Sequence, residues 1–168
     1  MKQFEDRWAP GTMERRAYAL AVYTGQRKTD LVAMARADRK GGAIRVVQNK
    51  TGEELWIPEH QELAAELRRG VLPHMSLLTT TRGKVFDPVY SGAWFAEAIE
   101  EAKLSDDCML HGLRKTAASK LAEAGCSEKQ IAVITGHTTL AMVAKYTKGA
   151  EQKKLASAAI LTLERNTQ

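Results

Sequence analysis

Apolar and polar positions divide the chain into short segments of two different periods. In TMERRAYALAVYTG, the spacing of Tyr18, Leu20, Ala21 and Tyr23 predicts a helix entered at Thr12 and closed by Gly25. RKTDLVAMA follows as a short second helix with Arg27 and Asp30 near its start, and a brief strand is expected around Ala35 to Asp38. The period then changes. AIRVVQ and ELWIP are rich in β-branched or aromatic residues and flank NKTGE, whose Gly52 signals a turn; they read as a hairpin with Lys50 at or beside that turn. Helical spacing returns after Pro58 in HQELAAELRR. It resumes beyond the loop-like stretch LPHMSLLTTTRGKVFDPVYS in SGAWFAEAIEEAKL, with Trp94 and Phe95 on the apolar side. The remainder reads as separate helical pieces, LHGLRKTAASKLAEAG, SEKQIAVITG, TTLAMVAKYTK and EQKKLASAAILTLER, with Gly125 and Gly136 stopping the first two. The implied fold class is α+β, mainly α-helical, with one small antiparallel β-sheet inserted early. Residues 1–11 read as an arm ended by Pro10-Gly11, residues 12–149 as the main domain, and residues 150–168 as a C-terminal helix and tail.

Composition narrows the class without naming a function. The 168 residues fit one domain, and 44% hydrophobic with 27% charged residues is ordinary for a globular protein. Disordered and collagen-like classes are disfavoured by that composition, and a membrane span because no apolar run approaches the ~18 residues it needs. MKQFEDRWAPGT lacks the apolar centre of a signal peptide, and Cys108 and Cys126 have neither a disulfide framework nor metal-type spacing. A cytoplasmic protein is the expectation. The net charge of +5 suits a polyanionic partner, since neutralising phosphates releases condensed counterions, although it serves equally as a solubilising surface.

Three segments carry chemistry that points toward a phosphate. In YTGQRKTDL, Arg27 opens a helix just after a Gly turn, where a guanidinium beside helix amides can grip an anion; a surface pair with Asp30 is the plainer reading. In HGLR, His111 and Arg114 lie three apart and share a helix face, combining a proton-moving imidazole with a fixed cation. In TGHTTLAMVAKYTK, His137 follows Gly136 and Tyr146 comes nine residues later. There a Tyr at the end of a short helix, loosened by TKG, can reach a cleft or simply pack in the core. Lys50 is either part of the same set or a solvated turn residue. Together these residues supply a nucleophile, a base, an acid and an anion clamp. The chain carries no clustered Asp/Glu set for Mg²⁺, no GxxxxGK[ST] and no GxSxG.

The order and spacing of TG-x-R-x-x-D-L, a hairpin Lys, H-x-x-R and TGH-then-Tyr resemble the tyrosine recombinase (phage integrase) family over roughly Ala17 to Thr147. The resemblance implies a DNA strand transferase acting on double-stranded DNA, assembled as a tetramer, with no cofactor, metal, nucleotide or membrane involved. By that resemblance Arg27 and Arg114 clamp the scissile phosphate and Tyr146 attacks it, leaving a 3′-phosphotyrosyl bond. Lys50 protonates the departing 5′ oxygen, His111 takes or shuttles the tyrosine proton, His137 donates a hydrogen bond to the phosphate, and Asp30 supports the clamp.

Two features depart from the family pattern. The helical DNA-binding domain that usually precedes this region is expected to be missing, which suggests a fragment. Lys148 stands where a His often follows the tyrosine. Leu155, Ala159, Ile160 and Leu163 lie at helical spacing, and packing on the chain's own core is the expectation, with docking on a neighbouring protomer as the alternative. Two other functions fit the same residues: a type IB topoisomerase-like enzyme, and a non-catalytic DNA-binding prophage relic.

Overall fold

A computed structural model describes residues 2–69, 75–105 and 108–165. Eight α-helices and a three-stranded sheet account for its regular structure among the described residues. Helix α1 spans Lys2–Arg7, α2 Met13–Thr24 and α3 Lys28–Ala33. Strands β1 (Arg39–Lys40), β2 (Ala43–Val47) and β3 (Glu54–Pro58) follow, then α4 (Gln61–Arg68), α5 (Tyr90–Glu101), α6 (Leu110–Glu123), α7 (Glu128–Thr135) and α8 (Ala141–Arg165).

Helix α2 is the central element. Its start is fixed by Thr12, whose side chain accepts a hydrogen bond from the Arg15 amide, and its end by Gly25, whose N–H donates to the Ala21 carbonyl. Most of α2 is buried, Ala17, Leu20 and Ala21 completely, because α4 and α6 pack along it. The sheet is antiparallel in the order β1-β2-β3, with Ile44 opposite Ile57 and Val46 opposite Leu55. Those four side chains face the core, as the period of two in the sequence requires.

Four expectations need correction. The presumed N-terminal arm contains α1, and Phe4 is buried in the main core, stacked on Tyr18 at 5.2 Å and near Phe95 at 5.4 Å. Trp8 adds a bond from Nε1 to the Ala98 carbonyl of 2.9 Å. Two large aromatic side chains thus anchor a segment whose Pro-Gly ending suggested a loose one. The brief strand at Ala35–Asp38 is reduced to an isolated bridge of Ala35 with Ser76, followed by a 3₁₀ turn over Arg36–Asp38 that the Asp38 carboxylate closes by accepting from the Ala35 amide; strand β1 begins at Arg39. The two last helical pieces are one continuous helix, α8, passing through Gly149 without a break. A single helical glycine costs only about 1 kcal/mol relative to alanine, and the surrounding Ala, Glu, Gln, Lys and Leu outweigh it. Finally, residues 151–165 of α8 are exposed on every side, so Leu155, Ile160 and Leu163 do not pack on this chain's core.

The loop-like reading of LPHMSLLTTTRGKVFDPVYS holds for residues 75–89, which make only isolated bridges, Ala35 with Ser76 and Thr79 with Val85, while Tyr90 and Ser91 already belong to α5; Leu72, Pro73 and His74 lie outside the described residues.

Candidate active site

The C-terminal ends of α2 and α7 meet, and the site is built where they touch. Both helices stop at a glycine in the left-handed region, Gly25 with φ 63° and Gly136 with φ 68°. The approach is close enough that a Cβ on Gly25 would lie 2.7 Å from Thr135 Cγ2. A Cβ on Gly136 would overlap the amide of Gln48. Each glycine therefore supplies both a turn and the room for a neighbour. Gly136→Ala should cost about 1–2 kcal/mol for the left-handed backbone alone, and displacement of Gln48 should add to it. A denaturant titration showing wild-type stability would refute this packing.

Behind these turns runs a buried polar network. Gln48 is fully buried; its Nε2 donates to Gln26 Oε1 at 2.6 Å and to the Thr135 carbonyl at 3.1 Å. Its Oε1 accepts from Arg27 Nη1 at 3.2 Å and from the Thr51 hydroxyl at 3.1 Å. Gln26 in turn donates to the carbonyls of Thr24 and Ile134. Arg114, only 5% exposed, donates through Nη1 to the carbonyls of Gly25 and Thr135 and through Nη2 to that of Gly136. The two guanidiniums are thus joined through Gln48 and one shared carbonyl, that of Thr135.

The electrostatics follow from this crowding. Burial first, and the neighbouring Arg27 second, lower the Arg114 pKa to about 10, against the raising influence of Asp30 and Tyr146. Arg114 stays charged at neutral pH, and a concentrated positive site results. His137 is held neutral, pushed down to about 4 by burial and then by Arg114, Arg27 and Lys145. Its folded value lies below the ordinary 6.5, so on acidification the unfolded chain takes the proton first. The neutral imidazole's contribution to stability is therefore complete above pH 6.5 and is lost as pH falls toward 4. Unfolding midpoints across that window should fall more steeply for the wild type than for His137→Gln; parallel curves would contradict it.

The structure brings Arg27, Arg114, His137 and Tyr146 into one cluster. The Tyr146 ring lies 6.4 Å from that of His137, tilted by 53°, and packs against the small core of Ala118, Ala122, Ile131 and Val143. Tyr146 is half-buried within the continuous helix α8 and not at the end of a short one, which corrects the expected loosening at TKG. Asp30 is buried and accepts from the Asn49 amide at 2.9 Å and from Asn49 Nδ2 at 3.2 Å. This ties the hairpin turn to the start of α3 and sets the position of Lys50, the next residue. Lys50 itself is exposed. His111 is exposed one turn before Arg114 on α6, beside a 370 Å³ cleft that Lys28 also lines. Lys50 and His111 therefore flank the cluster without being bonded into its buried network.

Gln26, Gln48 and Thr135 escaped the sequence reading. Gln48 carried a usable signal: Ile44, Val46 and Gln48 share the inward parity of one strand run, and an amide on an apolar face needs partners. Among the described residues, no three His, Cys, Asp or Glu side chains cluster as metal ligands.

Comparison with known proteins decides the family. Residues 3–153 match the profile described as the phage integrase family. The chain belongs to that family. Two integrases resemble it in sequence. "Virulence plasmid integrase pGP8-D" of Chlamydia muridarum is 30% identical over 104 residues, 61% of this chain and 32% of the relative. "Integrase" of Mycobacterium phage D29 is 34% identical over 93 residues, 54% of this chain and 23% of the relative. Among solved structures, a lambda integrase tetramer bound to a Holliday junction superposes with a TM-score of 0.72 at 26% identity, covering 86% of this chain and 45% of that one. The fold is that of the tyrosine recombinase catalytic domain, and the chain spans a third or less of the curated integrases it matches.

Proposed function

We propose that this integrase-family chain is the catalytic domain of a tyrosine-type site-specific recombinase that cleaves and rejoins double-stranded DNA through Tyr146. One observation carries the reading: two guanidiniums locked into a single hydrogen-bonded frame, with a neutral imidazole and a half-buried phenol beside them. Arg27 and Arg114 would meet the non-bridging oxygens of a phosphodiester, where charge builds in the transition state. Because their positions are set beforehand by Gln48 and three backbone carbonyls, little reorganisation is needed when the phosphate arrives.

Tyr146 would attack phosphorus and hold the 3′ phosphate covalently, while Lys50, on the tethered hairpin turn, protonates the departing 5′ oxygen. His111, at the rim of the site, would assist proton movement, and Asp30 holds the turn in place. Exchange of one phosphodiester for another is nearly isoenergetic, so religation needs no nucleotide cofactor. The lambda integrase in the matching structure is a tetramer on a Holliday junction. A tetramer is the assembly we propose here, and the exposed outer half of α8, with Leu155, Ile160 and Leu163 uncovered, is compatible with subunit contacts.

The test uses nicked duplexes of randomised sequence, which trap a cleaved intermediate. The expected product is an SDS-stable protein–DNA adduct whose DNA-linked peptide contains Tyr146. Attachment at another residue, or no adduct from the whole library, would reject the reading. Recombinant joints from recovered sites would separate a recombinase from a topoisomerase-like enzyme.

A further inference from the structure

Lys50 is exposed, yet the residues on both sides of it are fastened inward. Asn49 gives its amide and its Nδ2 to Asp30 Oδ1, at 2.9 and 3.2 Å. Thr51 gives its hydroxyl to Gln48 Oε1 at 3.1 Å. The two acceptors share a further neighbour in Arg27, whose Nη1 lies 3.2 Å from Gln48 Oε1 and 4.0 Å from Asp30 Oδ2. The turn that carries Lys50 and one arm of the cationic pair are therefore held by the same two side chains.

Chemistry fixes the direction of the bonds on the Gln48 side. Gln26 Nε2 faces the carbonyls of Thr24 and Ile134, which can only accept, so Gln26 turns its oxygen toward Gln48. Gln48 meets that oxygen and the Thr135 carbonyl, so this end of its amide must be the NH₂. The other end is an oxygen that already accepts from Arg27 and has no proton to give. Thr51 must therefore be the donor, which leaves its lone pair for the Glu53 amide at 3.4 Å. The main chain of Gln48 closes the same turn, donating to the Glu53 carbonyl at 2.9 Å and accepting from the Gly52 amide at 2.8 Å.

We propose that Thr51 and Gln48 are positioning residues that fasten the Lys50 turn to Arg27, so that proton donor and phosphate clamp are set as one unit. The role rests on the recombinase reading above. In that step the Tyr146 oxygen bonds to phosphorus, its own proton passing to solvent by way of His111. The P–O5′ bond breaks, its electron pair stays on the 5′ oxygen, and that oxygen takes a proton from the Lys50 ammonium. A lysine head on a flexible four-carbon stem is delivered only as accurately as its backbone is held. Thr51 is exposed, and valine there keeps the shape while removing only the hydroxyl.

The experiment has two arms. Without DNA, amide hydrogen exchange at Asn49 and Gly52 should be roughly twofold to tenfold faster in Thr51→Val, as loss of one hydrogen bond implies, and unchanged in Thr51→Ser. Equal exchange in the Val variant and the wild type would overturn the tether whatever the activity. The second arm compares a cleavable nicked duplex with its counterpart bearing sulfur in place of the bridging 5′ oxygen. A thiolate has a far lower proton affinity than an alkoxide and leaves without a proton. On the oxygen duplex, Thr51→Val should form adduct on the order of tenfold to a hundredfold more slowly, with Ser restoring the rate. On the sulfur duplex the Val variant should match the wild type, whereas Gln48→Leu, which also releases Arg27, should stay slow on both. A Val defect that sulfur does not repair, or no defect on oxygen, would overturn the positioning of Lys50. A Gln48→Leu variant fully repaired by sulfur would overturn the link to the clamp. Lys50→Ala is the control: failure of sulfur to repair it would reject Lys50 as the acid, and the positioning role with it. A confirmed tether in a wild-type protein that forms no adduct with any duplex would instead reject the recombinase reading.

Discussion

Replacing Tyr146 by phenylalanine should give a folded, DNA-binding protein that forms no covalent adduct. The ring packs against Ala118, Ala122, Ile131 and Val143, and phenylalanine retains every one of those apolar contacts. Only the hydroxyl is lost, so the melting transition should move by no more than about 0.5 kcal/mol equivalent, as for substitutions outside the core. DNA affinity, set by the basic site and its surroundings, should hold. Adduct formation should fall below detection, because phenylalanine brings no oxygen to attack phosphorus. The measurement pairs an SDS gel with an affinity titration on the same preparation. Residual adduct at more than a trace would mean that another group is the nucleophile.

Arg114→Ala should be nearly as damaging to cleavage and should also weaken the fold. Loss of one aligned transition-state donor costs about 10²–10³ in rate in comparable sites. Two opposing effects bear on stability. Removing the guanidinium leaves the carbonyls of Gly25, Thr135 and Gly136 without this donor, at about 1–3 kcal/mol for each polar group left unsatisfied. It also relieves a buried cation that burial and Arg27 already disfavour, as the pKa lowered to about 10 records. The Thr135 carbonyl keeps its bond from Gln48, which limits the loss, and a net destabilisation of about 1–3 kcal/mol is expected. Lysine should not rescue either property, because a point charge cannot span carbonyls that a planar fork reaches together. Adduct formation within threefold of wild type would exclude Arg114 from the clamp.

Much of this architecture was legible before any coordinates. Thr12 and Gly25 mark both ends of α2 because a cap and a left-handed stop are local signals, independent of what the helix packs against. The hairpin was equally clear, since alternation in AIRVVQ and ELWIP survives without tertiary information. The misreadings share a cause. Phe4, in a segment ending Pro-Gly, and Gly149, in a run of strong helix formers, each required a weak local signal to be weighed against packing or neighbouring propensity that the pattern does not display. For the site, the charged and aromatic members stood out because their chemistry is rare. Gln26, Gln48 and Thr135 did not, because an amide or hydroxyl gains meaning only from the carbonyls and rings around it.

The unbroken course of α8 has a mechanical consequence. From Lys148 to Arg165 the helix extends roughly 27 Å at about 1.5 Å per residue, with no slack between its outer tip and Tyr146, the proposed nucleophile. A stiff rod with its working group near the fixed end is a lever. Whatever grips the tip and tilts it by a few degrees also turns the phenol, so the reactive alignment of one active site can be set from a point far outside it.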